Sequence, residues 1–277
     1  MGSSFLKWAG GKNWFVKYLP TIIPETFHYD RFVDPFVGGG SVFFSLNPPA
    51  ALLADINSEL ITTYQAVRDN CNLVKRYLRR HMANHSESYY YQIRESSCKS
   101  PSTIAARMIY LNHTCFNGIY RVNKEGKFNV PIGVNNLAFF DSNYLDEKSN
   151  MLQNKEITCK TYLETIKETG PGDFLFCDPP YAVKDDENRF VGYTKNLFSW
   201  DDQVQLANSL QAAAQRGVAI LETNVYHPSV VELYRDIPNT HFRVISRYTS
   251  ISGIRTARTQ YQEMIITMNI GDQNGIN

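Results

Sequence analysis

The 277 residues contain no C-x-x-C pair, and the five cysteines, Cys71, Cys98, Cys115, Cys159 and Cys177, are scattered along the chain. An odd, dispersed set supports neither a disulfide framework nor a zinc site, and it suits a reducing compartment. No apolar run approaches the roughly 20 residues that cross a bilayer, and Met1 to Gly11 holds no apolar signal region. Leu6 stands where a myristoylation signal carries Ser or Thr. A soluble, unexported cytoplasmic protein without a membrane partner is therefore expected.

Several chemistries are missing as well. The chain has no G-x-S-x-G and no H-E-x-x-H. His85-Ser86-Glu87 has the H-x-E of zinc deaminases without the accompanying P-C-x-x-C, so no metal site is expected. No Pro-Cys dipeptide occurs either, which argues against a cysteine nucleophile and leaves Cys177 as a buried strand residue. In "WAGGKNW", Leu6 and Asn13 occupy the positions where a phosphate loop needs Gly and Ser or Thr. What remains there is a tight turn flanked by Trp8, an indole able to pack on a ring, and Lys12, an ammonium for a carboxylate or phosphate.

Net charge is only +1, but it is unevenly spread. Residues 57–140 hold eleven Lys and Arg against five Asp and Glu, which leaves seventeen against twenty-two for the rest. A basic middle segment in a near-neutral chain points to a polyanion-binding surface.

Apolar runs at 31–37, 50–57, 156–161, 173–178, 217–224, 241–248 and 261–270 read as strands, with helices between them. Ser199, Asp202 and Gly217 frame one helix as cap, capping-box partner and stop. The last two strands leave no room for a helix between them and are expected to pair antiparallel at the edge of an otherwise parallel sheet. Segment 57–140 breaks the alternation with two helical patterns and a hairpin turning at Glu125-Gly126, so it reads as an insertion. The fold expected is an α/β, Rossmann-like sheet with an antiparallel edge strand. Catalytic residues 1–56 and 141–277 flank an inserted, mainly helical domain, 57–140, that carries the hairpin.

The first strand runs into "VGGGS", where Gly38 and Gly40 match the dinucleotide fingerprint but Phe43 takes the place of its third glycine. A pyrophosphate clamp is poorly supported. A nucleoside ligand fits better, approached by the glycine backbone and by Asp55 at the next strand end, which can accept from ribose hydroxyls. The fourth strand ends in Asp178-Pro179-Pro180-Tyr181. Two prolines hold Asp178 extended, so its carboxylate and the Pro179 carbonyl can present two acceptors side by side. That pair suits an aromatic NH₂ group, whose lone pair is freed for attack when both hydrogens are accepted, with Tyr181 stacked on the ring.

"FLKWAGGK", "DPFVGGGSVFF", "ADIN", "FNGIYRVN…GKFNVP", "DPPY" and "RFVGYTKNLFSWDDQ" resemble, in that order, the D12-class DNA adenine-N6 methyltransferases of the Dam type. The likeness runs from Phe5 to about Gln203. It implies methyl transfer from S-adenosylmethionine to adenine N6 in double-stranded DNA, by a monomer without an obligate protein partner.

Under this resemblance Trp8, Ala9, Gly10, Lys12, Phe36, Gly38, Gly40, Ser41, Asp55 and Asp178 form the expected cofactor set, and Asp178, Pro179, Pro180 and Tyr181 the catalytic motif. Phe190 and Tyr193 are expected to close over the base. Lys7, Phe116, Asn117, Ile119, Arg121, Asn123 and Pro131 are expected on DNA, with Arg255 and Arg258 on phosphates. Val134 and Asn135 depart from the arginine and aromatic residue that usually follow "FNVPIG", so GATC is preferred and a longer or degenerate GAT-containing site is open. Two alternatives stand beside this reading: an RNA or protein-amide methyltransferase of the same fold, and a catalytically idle DNA-binding relative.

Overall fold

The computed structural model describes residues 4–123, 125–134, 142–184, 198–249 and 259–271. After two 3₁₀ turns at Lys12–Trp14 and Val16–Tyr18 come α1 (Leu19–Ile22), β1 (Arg31–Asp34), α2 (Ser41–Leu46) and β2 (Ala51–Asp55). Three longer helices follow: α3 (Ser58–Ala83), α4 (Glu87–Glu95) and α5 (Pro101–Thr114). The remaining elements are α6 (Ser142–Leu152), β3 (Glu156–Cys159), α7 (Tyr162–Lys167), β4 (Asp173–Cys177), α8 (Trp200–Gln215), β5 (Ala219–Val225), α9 (Pro228–Tyr234), β6 (Thr240–Thr249) and β7 (Thr259–Met268).

The fold is mixed α/β with a seven-stranded sheet in the order β3-β2-β1-β4-β5-β7-β6, which agrees with the Rossmann-like expectation. The pairs β2 with β3, β1 with β4, and β4 with β5 are parallel. β7 runs antiparallel to both β5 and β6, so the reversed strand lies one place in from the edge. β4 is buried at every residue, as the near-continuous apolar run of a parallel strand requires. Among the described residues, no helix is long and apolar enough to cross a membrane.

The chain forms two compact units, residues 1–19 with 37–159 and residues 20–36 with 160–277. The first holds segment 57–140. Its helix α3 starts where the Asn57 side chain accepts from the Leu60 amide at 3.1 Å. Leu60, Ile61, Tyr64 and Val67, at i, i+1, i+4 and i+7, turn one apolar stripe inward, and α3 packs along α5. Asn70 leaves helical geometry (φ −139°, ψ 37°) and kinks the helix. Phe5 meets Tyr64 and Phe44 edge-on, with ring centroids 5.0 and 5.9 Å away, and so ties the N-terminal segment to α3 and α2.

In the second unit, Arg31 and Asp173 sit opposite each other on β1 and β4. Their two 2.8 Å bonds form a fork that fixes the register of those strands. The expected box at α8 is present: Ser199 Oγ accepts from the Asp202 amide at 3.1 Å, and Asp202 accepts from the Ser199 amide at 2.8 Å. Gly217 ends that helix region with φ +89°.

Candidate active site

In the first unit, the glycine turn after β1 is shaped by the protein's own side chains. Gly38 has φ +45°, and a Cβ there would lie 2.7 Å from Trp8 Cδ1 and 2.9 Å from Nε1. Gly40 has φ +67°, and a Cβ there would lie 2.7 Å from the Tyr64 hydroxyl. The indole of Trp8 and the phenol of Tyr64 therefore occupy space that only glycine leaves open. Tyr64 donates to the Gly38 carbonyl at 3.0 Å. Trp8 stacks on Tyr120, with ring centroids 5.1 Å apart and planes 20° from parallel.

Asp55, at the carboxyl end of β2, accepts from the Gly38 amide at 3.2 Å and from the Asn57 amide at 2.9 Å. Burial pushes its carboxyl pKa up, against the opposing pull of the Asn57, Gly38 and Ile56 amides. The "ADIN" stretch thus supplies both an acceptor at a strand end and the cap of α3. Lys12 is buried, and its ammonium donates to the Gly10 carbonyl at 3.0 Å. Ala9 and Gly10 are exposed and Ser41 is buried. A half-buried carboxylate bonded to a tight glycine turn that an indole abuts offers the acceptor and apolar face that a nucleoside requires.

The same unit carries the hairpin. Among the described residues, its pairing consists of isolated bridges, Cys115 with Ile132 and Val122 with Phe128. The Asn123 side-chain oxygen takes the amides of Glu125 (3.0 Å) and Lys127 (2.9 Å), folding the tip as a side-chain-capped turn. Phe116, Ile119 and Val122 are exposed, at 50%, 38% and 36%. Asn117 is exposed with φ +55°. Arg121 is exposed and donates to Asn129 Oδ1 at 2.8 Å. Pro131 is exposed, and its carbonyl accepts from the Phe116 amide at 2.9 Å. Lys7, exposed, lies against Gly118, where any Cβ would strike its side chain. Val134 is fully exposed.

In the second unit, β4 delivers Asp178 half-buried, followed by Pro179, which is buried, and Pro180 and Tyr181, which are half-buried. Thr223, on the neighbouring β5, donates to Asp178 Oδ1 at 2.7 Å. Tyr181 donates to Glu263 of β7 at 2.9 Å. Burial, reinforced by the negative charges of Asp178 and Glu263, holds the Tyr181 hydroxyl protonated far above its ordinary pKa. The D-P-P-Y turn is thereby fixed at both ends. Phe36 stacks on Tyr162, with centroids 5.3 Å apart and planes 22° from parallel.

Behind the turn lies a buried polar cluster. Glu222, Asn224, Gln203 and Tyr234 are fully buried. Glu222 Oε1 accepts from Asn224 Nδ2 at 2.8 Å and from the Tyr234 hydroxyl at 3.0 Å. Burial pushes the Glu222 carboxyl up to about 7, opposed by these hydrogen bonds and assisted by the charge of Asp178. Cys177, also fully buried, has its thiol pKa pushed far up by burial and by the nearby carboxylates of Glu222, Asp34 and Asp178, so it is no thiolate nucleophile.

Phe190, Tyr193, Arg255 and Arg258 lie outside the described residues. Sequence reasoning missed Tyr64, Tyr120, Thr223 and Glu263. For Thr223 a signal existed, since it falls at the carboxyl end of a parallel strand beside the Asp178 strand, where sites of such sheets collect. Tyr120 and Glu263 carried no local signal.

Comparison with known proteins agrees with this chemistry. The D12 class N6 adenine-specific DNA methyltransferase family matches residues 8–251. A Type II methyltransferase of Lactococcus lactis subsp. cremoris, M1.LlaDCHI, is 34% identical over 95% of this chain and 94% of its own length. A DNA adenine methylase of Vibrio cholerae is 32% identical over 95% and 94% of the two chains. The Type II methyltransferase M.MjaIII of Methanocaldococcus jannaschii is 32% identical over 80% and 84%. With most of its length matched to one family, and a D-P-P-Y turn held on both sides, the chain belongs to the D12 class of N6 adenine-specific DNA methyltransferases.

Proposed function

We propose that this protein methylates adenine N6 in duplex DNA with S-adenosylmethionine as donor, at GATC or another GAT-containing site. The observation that carries the reading is the held D-P-P-Y turn: one Asp178 oxygen accepts from Thr223 and the Tyr181 hydroxyl is fixed on Glu263. Trp8, Lys12 and Asp55 are the cofactor residues of the proposal, with Asp55 accepting from the ribose and Lys12 balancing a carboxylate. The donor set fits the group, because Asp55 keeps an acceptor half-buried at a strand end. S-adenosylmethionine, when bound, supplies an electrophilic methyl on a sulfonium.

Adenine reaches the turn by leaving the base stack, which costs a few kcal/mol. Asp178 and the Pro179 carbonyl then accept the two N6 hydrogens, drawing the nitrogen out of conjugation, while Tyr181 lies on the ring and Phe190 and Tyr193 close behind it. Alignment carries much of the rate, so Asp178 acts as an acceptor that orients the amine and no dedicated base is required. Segment 57–140 is the proposed target-recognition region. Within it Arg121 reads a guanine edge, Phe116 or Ile119 wedges between base pairs, and Lys7, Asn117, Asn123 and Pro131 complete the contact. Arg255 and Arg258 hold phosphates without sequence preference.

Asp178→Ala tests the assignment. DNA and cofactor binding are expected to survive while methylation disappears in single-turnover assays, and retained turnover would remove Asp178 from the mechanism.

A further inference from the structure

Trp8 touches two things that the proposed function keeps separate. One edge of its indole lies on Gly38 of the glycine turn, and one face stacks on Tyr120, 5.1 Å between centroids. Tyr120 directly precedes Arg121, the proposed base reader. Its ring is anchored from behind: the hydroxyl donates to Glu59 Oε2 at 3.1 Å, and Glu59 Oε1 accepts from Arg107 at 3.0 Å. Arg107 in turn donates to the carbonyls of Ile93 and Arg94 at 3.0 and 2.7 Å. Burial, with the negative charge of Glu59 beside it, pushes the Tyr120 hydroxyl pKa up and keeps it a neutral donor.

A second tie runs parallel to the first. The buried Asn112 amide accepts from the Lys7 amide at 2.8 Å and donates to the carbonyls of Lys7 (2.7 Å) and Gly118 (3.3 Å). The dipeptide Lys7-Trp8 is therefore clamped between the glycine turn and the base of the hairpin. A ligand that moves or stiffens Trp8 from the Gly38 side acts directly on the residue next to Arg121.

We propose that Tyr120 is a positioning residue that couples cofactor occupancy to sequence reading, by transmitting the position of Trp8 to Arg121. This rests on the reading of Trp8 as a cofactor contact and Arg121 as a base contact. Coupling of this kind is reciprocal, so the cofactor tightens cognate DNA by the factor by which cognate DNA tightens the cofactor.

The test measures the Kd of the wild-type protein for a duplex carrying its mapped site, and for one lacking it, with and without saturating S-adenosylhomocysteine, which permits no turnover. The wild type is expected to gain about tenfold on the cognate duplex alone, within the usual range for such coupling. Tyr120→Leu is expected to bring that ratio to about one while binding S-adenosylhomocysteine as the wild type does, and Tyr120→Phe, which keeps the stack but deletes the anchoring hydroxyl, to restore it in part. Glu59→Gln, which weakens the anchor and leaves the ring, gives an intermediate ratio and serves if Tyr120→Leu does not fold. A wild-type ratio of one, or an undiminished ratio in Tyr120→Leu and Glu59→Gln, overturns the proposal. A wild type that methylates DNA yet shows either result sinks the coupling alone, whereas a wild type that binds no cofactor sinks the functional reading beneath it.

Discussion

A carboxylate at the end of a strand can rotate, and an amine is activated only by one that does not. The 2.7 Å bond from Thr223 to Asp178 Oδ1 removes that freedom. Thr223→Val keeps the shape and deletes the hydroxyl. If the bond is worth the ~1.5 to 3 kcal/mol typical of hydrogen bonds to charged groups, kcat falls roughly 10- to 150-fold with KM for both substrates little changed. Thr223→Ser should recover most of the loss in the same steady-state assay. Wild-type kcat in Thr223→Val would show that the D-P-P-Y backbone alone orients Asp178.

At the scale of elements, strands and helix ends were legible because they are local. The apolar stretch Phe174 to Cys177 within 173–178 reads as a buried strand, and Ser199 with Asp202 announced the start of α8. The glycine run was legible as a turn, but what the glycines make room for was not: Trp8 and Tyr64 approach Gly38 and Gly40 from 30 and 24 residues away. The stack of Trp8 on Tyr120 spans still more of the chain, and no periodicity encodes such a pair. The hairpin was legible from its turn residues, whereas the Asn123 side chain's capture of the Glu125 and Lys127 amides, which shapes the tip, was not. Arg121 leaves that hairpin with its guanidinium on Asn129. Exchanging this partner for a base edge predicts that Arg121→Ala relaxes preference at one base pair by ~1 to 3 kcal/mol in competition binding. An equal loss on every sequence would mark it as a phosphate contact instead.

At the scale of the molecule, the seven strands and the antiparallel pairing of the last two followed from the alternation of runs, while the order of the strands in the sheet and the division into two compact units did not. Residues 141–159 join the unit that contains 57–140, because α6 packs on α3 and β3 pairs with β2, contacts made far from them in sequence.

Stability should also report on the buried cluster behind the turn. Glu222 holds its proton up to about 7 in the folded chain and only to about 4.5 when free. The folded state therefore binds more protons between those values, and its stability falls as pH rises through that window, by roughly 3 kcal/mol at most for this group. Glu222→Gln is expected to flatten that part of a Tm profile between pH 4.5 and 7, and an unchanged slope would assign the titration to another group.

The most direct measurement is of the product. Purified protein is incubated with unmethylated genomic DNA and methyl-labelled S-adenosylmethionine, followed by nucleoside mass spectrometry and mapping of modified positions on single molecules. The account predicts label in N6-methyladenine, clustered at GATC or a GAT-containing sequence. Label in cytosine, or none in DNA from a protein that binds the cofactor, would contradict it and direct the search to RNA as the acceptor.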